Sequence, residues 1–379
     1  GRSYGDSSLQ SKVIDCTNLN LFEDFDSNSG LLKCGAGVSI KSILDNFIPR
    51  GWFLPVTPGT RWVTVAGAIA SDVHGKNHHG AGTFTQHIKA IELALGTGEV
   101  LTITPSTHSE LFRATCGGMG LTGVILSATI RLQRILSSNI LQTTIKVNGL
   151  NEAINVFEAN QNSTYSVAWI DCMANGASLG RSLVMLGEHS EDQIFQKNNE
   201  KLLSVPTFFP SSLLNRLTIK AFNSLYFSKQ LKPQSKTLVG YKDFFYPLDG
   251  LSRWNNLYGK KGFTQYQMVL PQEAGLVGLT ELLKKITDSG YGSFLAVLKK
   301  FGPKNANYLS FPIEGYTLAL DFKILPETLK LMEELDRIVL EAPTGWPFAG
   351  PASEENKVTE ESKSKWWTVK THYKKNCEQ

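Results

Sequence analysis

The first third of the chain is built from short runs in which apolar and polar positions alternate. Residues 12–16, 31–34, 88–94, 100–104 and 124–132 carry this period-two, β-branched texture and predict strands. Between them, residues 40–47 and 109–115 repeat apolar positions at helical spacing. Strands and helices do not alternate regularly, so the pattern predicts an α+β fold rather than a βαβ array. From about residue 135 the glycine density falls. A helix at 150–160 and a strand at 165–171 follow, then strands at 265–269, 291–298 and 316–322 and helices at 274–289 and 326–340. These textures divide the chain into 1–135, 136–341 and a turn-rich, charge-mixed tail at 342–379.

Laid over the first third are four glycine-marked segments: GRSYGD at 1–6, GAGV at 35–38, PGTRWVTVAGAIASDVHGKNHH at 58–79 and CGGMGLTG at 116–123. Each alone is a turn. Together they predict a backbone cradle for a large anionic cofactor, with GRSYGD as an anion nest and with Ala66, Gly67, Ala68 and Ala70 keeping side-chain bulk low beside a flat ring system. Residues 118–123 match G-x-G-x-x-G, but a helical pattern precedes them and a strand follows. A nicotinamide site needs the opposite order, so that the pyrophosphate meets a helix N-terminus.

Composition narrows the classes. A chain of 379 residues with 41% hydrophobic and 19% charged residues suits about two globular domains. Its net charge of +4 is too small to argue for nucleic acid. No apolar run reaches the ~18 residues of a membrane span. Five scattered cysteines (Cys16, Cys34, Cys116, Cys172, Cys377) lack metal or redox spacing and read as reduced. His74 and His78 are four apart, but no acid or thiol follows at ligand spacing, so no metal is expected. Residues 201–242 hold seven basic side chains and no acid among many apolar ones. They read either as a loop-rich lid or as a patch that meets anionic lipid headgroups or a lipid-phosphate substrate.

GRSYGD, PGTRWVTVAGAIASDVHGKNHH, ELFRATCGGMGLTG, GFTQYQMVLP, SFLAVLKKFGP and LSFPIEGY…LDF together resemble the vanillyl-alcohol-oxidase (PCMH-type) FAD-binding superfamily. Within it they are similar to the flavin oxidase subunits of the decaprenylphosphoryl-β-D-ribose 2′-epimerase family, over residues 1 to about 341. HGKNHH and the QYQ strand are specific to that family. The resemblance implies a two-subdomain FAD-binding domain whose first strand and helix precede Gly1. It also implies a substrate domain with a large antiparallel sheet and flanking helices, and a tail that returns to the FAD domain. The implied activity is oxidation of the 2′-hydroxyl of a polyprenylphosphoryl-β-D-ribose to a 2′-keto intermediate. A separate short-chain dehydrogenase/reductase would complete epimerisation to the arabinose donor of bacterial cell-wall polysaccharide. Peripheral association with the inner membrane, on its cytoplasmic or periplasmic side, is implied by the same analogy.

Carried over by position, the FAD contacts would be Gly1, Arg2, Ser3, Tyr4, Gly5, Asp6, Ser7, Gly59 and Thr60. Thr64, Val65, Ala66, Gly67, Ser71, Asp72, Val73, His74, Gly75 and Ile125 complete that set. Lys76, Phe245, Gln265, Gln267, Lys299 and Phe301 would line the substrate pocket, with His74, Lys299 and Gln267 as catalytic candidates. These types suit hydride transfer: the sugar must lie within near-attack distance of the ring, its hydroxyl proton needs an acceptor, and a cation steadies developing negative charge. Read without the family, Gln265 and Gln267 are equally the exposed face of a half-buried strand, and Lys299 with Lys300 a solvated pair.

Three positions depart from the family pattern. No histidine stands in the first loop, so FAD is expected to be dissociable. Ala319 stands where close members carry a cysteine, so a thiol-directed inactivator of that pocket should find no target. The family's L-Y-x-A-K-D segment reads TGWPFAGPASEEN here, with Gly350 at the lysine and Lys357 the nearest lysine. Two alternatives therefore stand beside the first reading: an aldonolactone- or alditol-type FAD oxidase acting on a small sugar, and an inactive flavin-binding homologue.

Overall fold

The computed structural model describes residues 11–195, 203–206, 214–259, 261–341 and 368–373. Among them the strands form a five-stranded and an eight-stranded antiparallel sheet, with two short two-stranded pairs. The smaller sheet runs Phe22–Asp26, Leu31–Gly35, Val124–Arg131, Ile88–Ala94, Val100–Ile103 across its width. Residues 12–16, expected as a strand, are non-strand here, and Phe22–Asp26 takes the edge position instead.

Helix Ile40–Phe47 shows why these elements form. Ile40, Ile43, Leu44 and Phe47 make one buried stripe at helical spacing, and the Ser39 side chain caps the first turn by accepting from the Ser42 N–H. Helix Ser109–Thr115 precedes the 116–123 loop and strand Val124–Arg131 follows it. That element order is the one that argued against a nicotinamide site.

The larger sheet runs Gln234–Gly240, Asn139–Val147, Ser182–His189, Tyr165–Ile170, Ala296–Phe301, Gly315–Lys323, Phe263–Leu270, Thr368–Tyr373. Helices Leu150–Ala159, Gln272–Ser289 and Pro326–Glu341 cover one face through Phe157, Leu282, Leu283, Ile286, Leu331 and Leu335. Each such leucine or isoleucine, fully buried, contributes about 1.5–3 kcal/mol. Gly275 and Gly278 let the long helix lie close: a Cβ there would stand 2.4 Å from the Tyr316 ring and 2.7 Å from Leu270. Strand periodicity then sends Gln265, Gln267, Val297, Lys299, Thr317, Ala319 and Asp321 to the other face.

One expectation changes. Residues 201–242, read either as a loop-rich lid or as a lipid-facing patch, include helix Arg216–Lys229 and edge strand Gln234–Gly240. Helix Tyr241–Phe245 follows and buries Phe244, Phe245 and the adjacent Tyr246 in the core of the smaller sheet's half, joining the two halves. Of the tail, residues 368–373 pair with Phe263–Leu270 at the edge of the larger sheet. Gly350 and Lys357 lie outside the described residues, as do Gly1, Arg2, Ser3, Tyr4, Gly5, Asp6 and Ser7.

Candidate active site

The open face of the larger sheet meets the 57–79 segment of the smaller half, and the chemistry-bearing side chains gather at that seam. Gln267 reaches across it. Its Nε2 lies 3.3 Å from His74 Nε2 and donates to Thr317 Oγ1 at 3.1 Å. Thr317 is in turn the cross-strand partner of Lys299. One row therefore holds His74, Gln267, Thr317 and Lys299, on three strands and one loop.

Aromatic rings fix the histidine. Phe301 meets His74 edge-on at 4.6 Å and tilts over His78 at 4.6 Å, while Phe311 stacks on His74 at 6.3 Å. His78 Nδ1 accepts from the Gly302 N–H at 3.1 Å, and His79 Nε2 lies 2.8 Å from the Ser163 carbonyl. Phe301 is fully buried and Phe245 is 2% exposed, packed against Phe53, Tyr165, Phe244 and Tyr246. Both rings are thus held by protein side chains in this structure. Phe301 acts through the two histidines, and the ring that meets a site lysine is Phe244. Lys76 lies over that ring at 4.4 Å and donates to the Phe244 carbonyl.

Electrostatically the seam gathers basic side chains. Burial pulls Lys299 down to about 8. Burial, and then the Lys299 charge, pull Lys76 down to about 7. The same two causes hold His74 well below the ordinary histidine range. Burial also takes His78 down to about 4 against the opposing pull of Asp72. Neither Lys76 nor Lys299 has a carboxylate within ion-pair distance among the described residues. The adjacent Lys300 differs completely. Strand alternation turns it to the helix-covered side, where it pairs with Glu158 at 2.6 Å, so the two lysines are not a solvated pair.

The expected cofactor residues divide by exposure. Gly59, Gly67 and Ser71 are exposed, and Thr60, Thr64, Ala66, Val73 and His74 are partly so. Val65, Ile125 and Gly75 are buried; the Val65 N–H already donates to the Val38 carbonyl at 2.8 Å, and a Cβ on Gly75 would crowd the Thr57 carbonyl at 2.9 Å. Thr60 Oγ1 donates to Asp249 at 2.7 Å and Thr64 Oγ1 caps helix Val65–Ala70. The loop at 116–123 wraps that helix's end, with the Gly117 N–H on the Ile69 carbonyl and the Met119 N–H on that of Ala70.

The Asp72 side chain has a structural role. It is 1% exposed and its two oxygens accept from Thr85 Oγ1 (2.5 Å), Asn305 (2.7 Å), Asn307 (2.9 Å) and Ser310 (2.6 Å). That carboxylate is saturated by protein donors, so it clips the 305–310 loop of the second half onto the first. Sequence reading missed Asn305, Asn307, Ser310 and Phe311 because their partners lie more than 200 positions away.

Residues 1–104 match the FAD binding domain family. The chain is 40% identical over 355 residues to the decaprenylphosphoryl-β-D-ribose oxidase of Mycolicibacterium smegmatis, covering 90% of this chain and 77% of that protein. It is 31% identical over 324 residues to an uncharacterized protein of Streptomyces coelicolor, covering 80% and 86%. A putative D-arabinono-1,4-lactone oxidase of Neurospora crassa is 29% identical over 133 residues, 35% of this chain and 24% of that protein. The exposed backbone fits FAD: a Cβ on Gly59 would meet no atom within 4 Å, and one on Gly67 would meet only Thr64 Oγ1, leaving both open to a ligand.

Proposed function

The chain belongs to the decaprenylphosphoryl-β-D-ribose oxidase family of FAD-dependent oxidoreductases, and from that membership we propose that it oxidises the 2′-hydroxyl of a polyprenylphosphoryl-β-D-ribose to the ketone. The observation that carries this reading is the pair Lys76 and Lys299, two half-buried lysines beside His74 with no carboxylate within ion-pair distance among the described residues. Buried charges persist where something compensates them, and a phosphate-bearing substrate would. A neutral aldonolactone would not.

Bound FAD supplies the hydride acceptor. The protein supplies position and proton handling. Gln265 and Gln267 present amides along one sheet face to hold the sugar. Lys299 and Lys76 hold anionic oxygen. His74, kept neutral by burial, accepts from the Gln267 amide at Nε2, and a substrate hydroxyl that displaced this amide would find there an acceptor for its proton. Gly59, Thr64, Ala66, Gly67, Ser71 and Val73 would contact the cofactor. The 2′-ketone would pass to a short-chain reductase. Anaerobic mixing tests the reading: flavin absorbance near ~450 nm should bleach with prenylphosphoryl ribose and not with free sugar acids or lactones. Bleaching by the lactone alone would select the other oxidase class.

A lipid-linked substrate also suits the surface. Among the described residues no helix is long and apolar enough to cross a membrane. Helix Arg216–Lys229 buries Ile219, Asn223 and Phe227, and leaves Leu217 and Leu225 77% and 73% exposed. Lys220, Lys229 and Lys232 are exposed around them, with Leu231 beyond. Apolar side chains ringed by lysines suit the surface of an anionic bilayer. In sedimentation with phosphatidylglycerol-containing vesicles, the double change Leu217→Ser, Leu225→Ser should weaken binding about 10-fold or more. Equal binding to purely zwitterionic vesicles would count against this surface.

A further inference from the structure

Farther along the same sheet face lies a cavity of about 400 Å³ between the first turn of helix Arg216–Lys229, the 289–294 loop and the end of strand Gly315–Lys323. Ile219, Tyr258, Tyr291 and Phe294 give it an apolar, largely aromatic wall. Asp321 also lines it, and that side chain is 2% exposed. One carboxylate oxygen accepts from Gln265 Nε2 at 2.9 Å; the other, Oδ2, has no hydrogen-bond partner among the described residues. A buried carboxylate oxygen without a donor is costly, and native structures keep such atoms where something else pairs with them.

The register says where that partner would come from. Asp321 faces Gln265, and Ala319 faces Gln267, the residue that touches His74. The carboxylate is thus one residue pair, about 6.8 Å, beyond the catalytic row and on the same face. Aromatic walls beside a carboxylate and an amide suit a ring with an apolar face and donor hydroxyls at its rim.

We propose that Asp321, braced by Gln265, is a specificity-determining residue whose Oδ2 accepts a hydrogen bond from a pentose hydroxyl other than the one oxidised. This rests on the reading of the substrate as a polyprenylphosphoryl pentose. Asp321 holds the ring in one orientation, so that the 2′ position and no other stands at the catalytic row. Burial pushes its carboxyl up to about 7, which leaves it able to accept while limiting the charge it brings beside the substrate phosphate.

The test is a cycle on the FAD-loaded protein: wild type, Asp321→Ala and Asp321→Asn, each with a short-chain prenylphosphoryl-β-D-ribose and its 3′-deoxy and 5′-deoxy analogues. In wild type, one analogue should lose about 10²-fold in kcat/KM, because its absence leaves Oδ2 unpaired. Asp321→Ala should treat that analogue and the parent alike within about 3-fold, with the parent reduced by a similar ~10². Asp321→Asn, isosteric and still an acceptor, should retain FAD and part of the discrimination. It serves if the alanine variant fails to hold cofactor. Undiminished discrimination in either variant, or none in wild type, overturns the assignment. A wild-type flavin that no prenylphosphoryl ribose bleaches overturns the substrate reading, and this subsite with it.

Discussion

Replacing Lys299 by methionine will lower kcat/KM for flavin reduction by the prenylphosphoryl sugar by about 10²- to 10³-fold while FAD is retained, since one preorganised charge in a dry site is worth that much. The side chain sits on a strand whose opposite face is sealed by helices, so its removal does not open the core. The pH dependence identifies the charge. Burial takes Lys299 from the ordinary 10.5 to about 8, so the free enzyme loses this cation as the pH rises through about 8, and kcat/KM falls with it. Lys299→Arg keeps its charge throughout and should move that alkaline limb upward. A limb unmoved in the arginine variant would transfer the role to Lys76.

Stability of the apoprotein should run the opposite way. Between about pH 7 and 10.5 the unfolded chain binds more protons at Lys76 and Lys299 than the folded one, so stability rises with pH over that window. His78 acts in the same sense lower down. Its folded value is about 4 against 6.5 unfolded, so stability falls as the pH drops from 6.5 towards 4. Urea midpoints of apoprotein at pH 5, 7 and 9 check both signs.

Asp72→Ala is the second large effect: about 3–5 kcal/mol of destabilisation, because it strands the Thr85, Asn305, Asn307 and Ser310 donors in a buried site. Asp72→Asn should cost nearly as much, since its amide N–H groups face donors rather than acceptors. The loss should be local first. Amide exchange in residues 302–311 should speed up while strands Ile88–Ala94 and Val124–Arg131 stay protected. With that loop loosened, Phe311 and the Gly302 contact no longer hold His74 and His78, and flavin reduction slows even where FAD is bound. Unchanged exchange in 302–311 would leave Asp72 as ordinary core.

Much of this was legible because it is local. Helix Ile40–Phe47 follows from its stripe and its Ser39 cap, and the Gln265/Gln267 alternation places both on one face before any packing is known. Cys34, Cys116 and Cys172, read as reduced, are free and buried, their thiols pushed up to about 12. What the sequence left hidden was non-local. Phe245 and Phe301 were placed by motif position, and their burial is set by what packs on top, here Tyr165 and His78. Asp72 looked like a cofactor ligand by position in the motif, and only the returning 305–310 loop shows its oxygens already filled. Helix Arg216–Lys229 was hidden because its buried stripe is weak, with an asparagine in it that pairs with Asp171 across the fold.

The chain's own order of residues determined the α+β class, the glycine-lined cofactor half and the family, since turns, period and motif spacing are properties of neighbours along the backbone. Tertiary structure decided which of those motif residues meet solvent and which are consumed by the protein itself. It brought His74, Gln267, Lys76 and Lys299 to one seam from positions up to 225 apart. It also split Lys299 from Lys300, one to the pocket and one to Glu158, and left one oxygen of Asp321 without a donor. Burial, charge compensation and hydrogen-bond satisfaction depend on the whole set of atoms surrounding a group, and that set exists only once the two sheets have met.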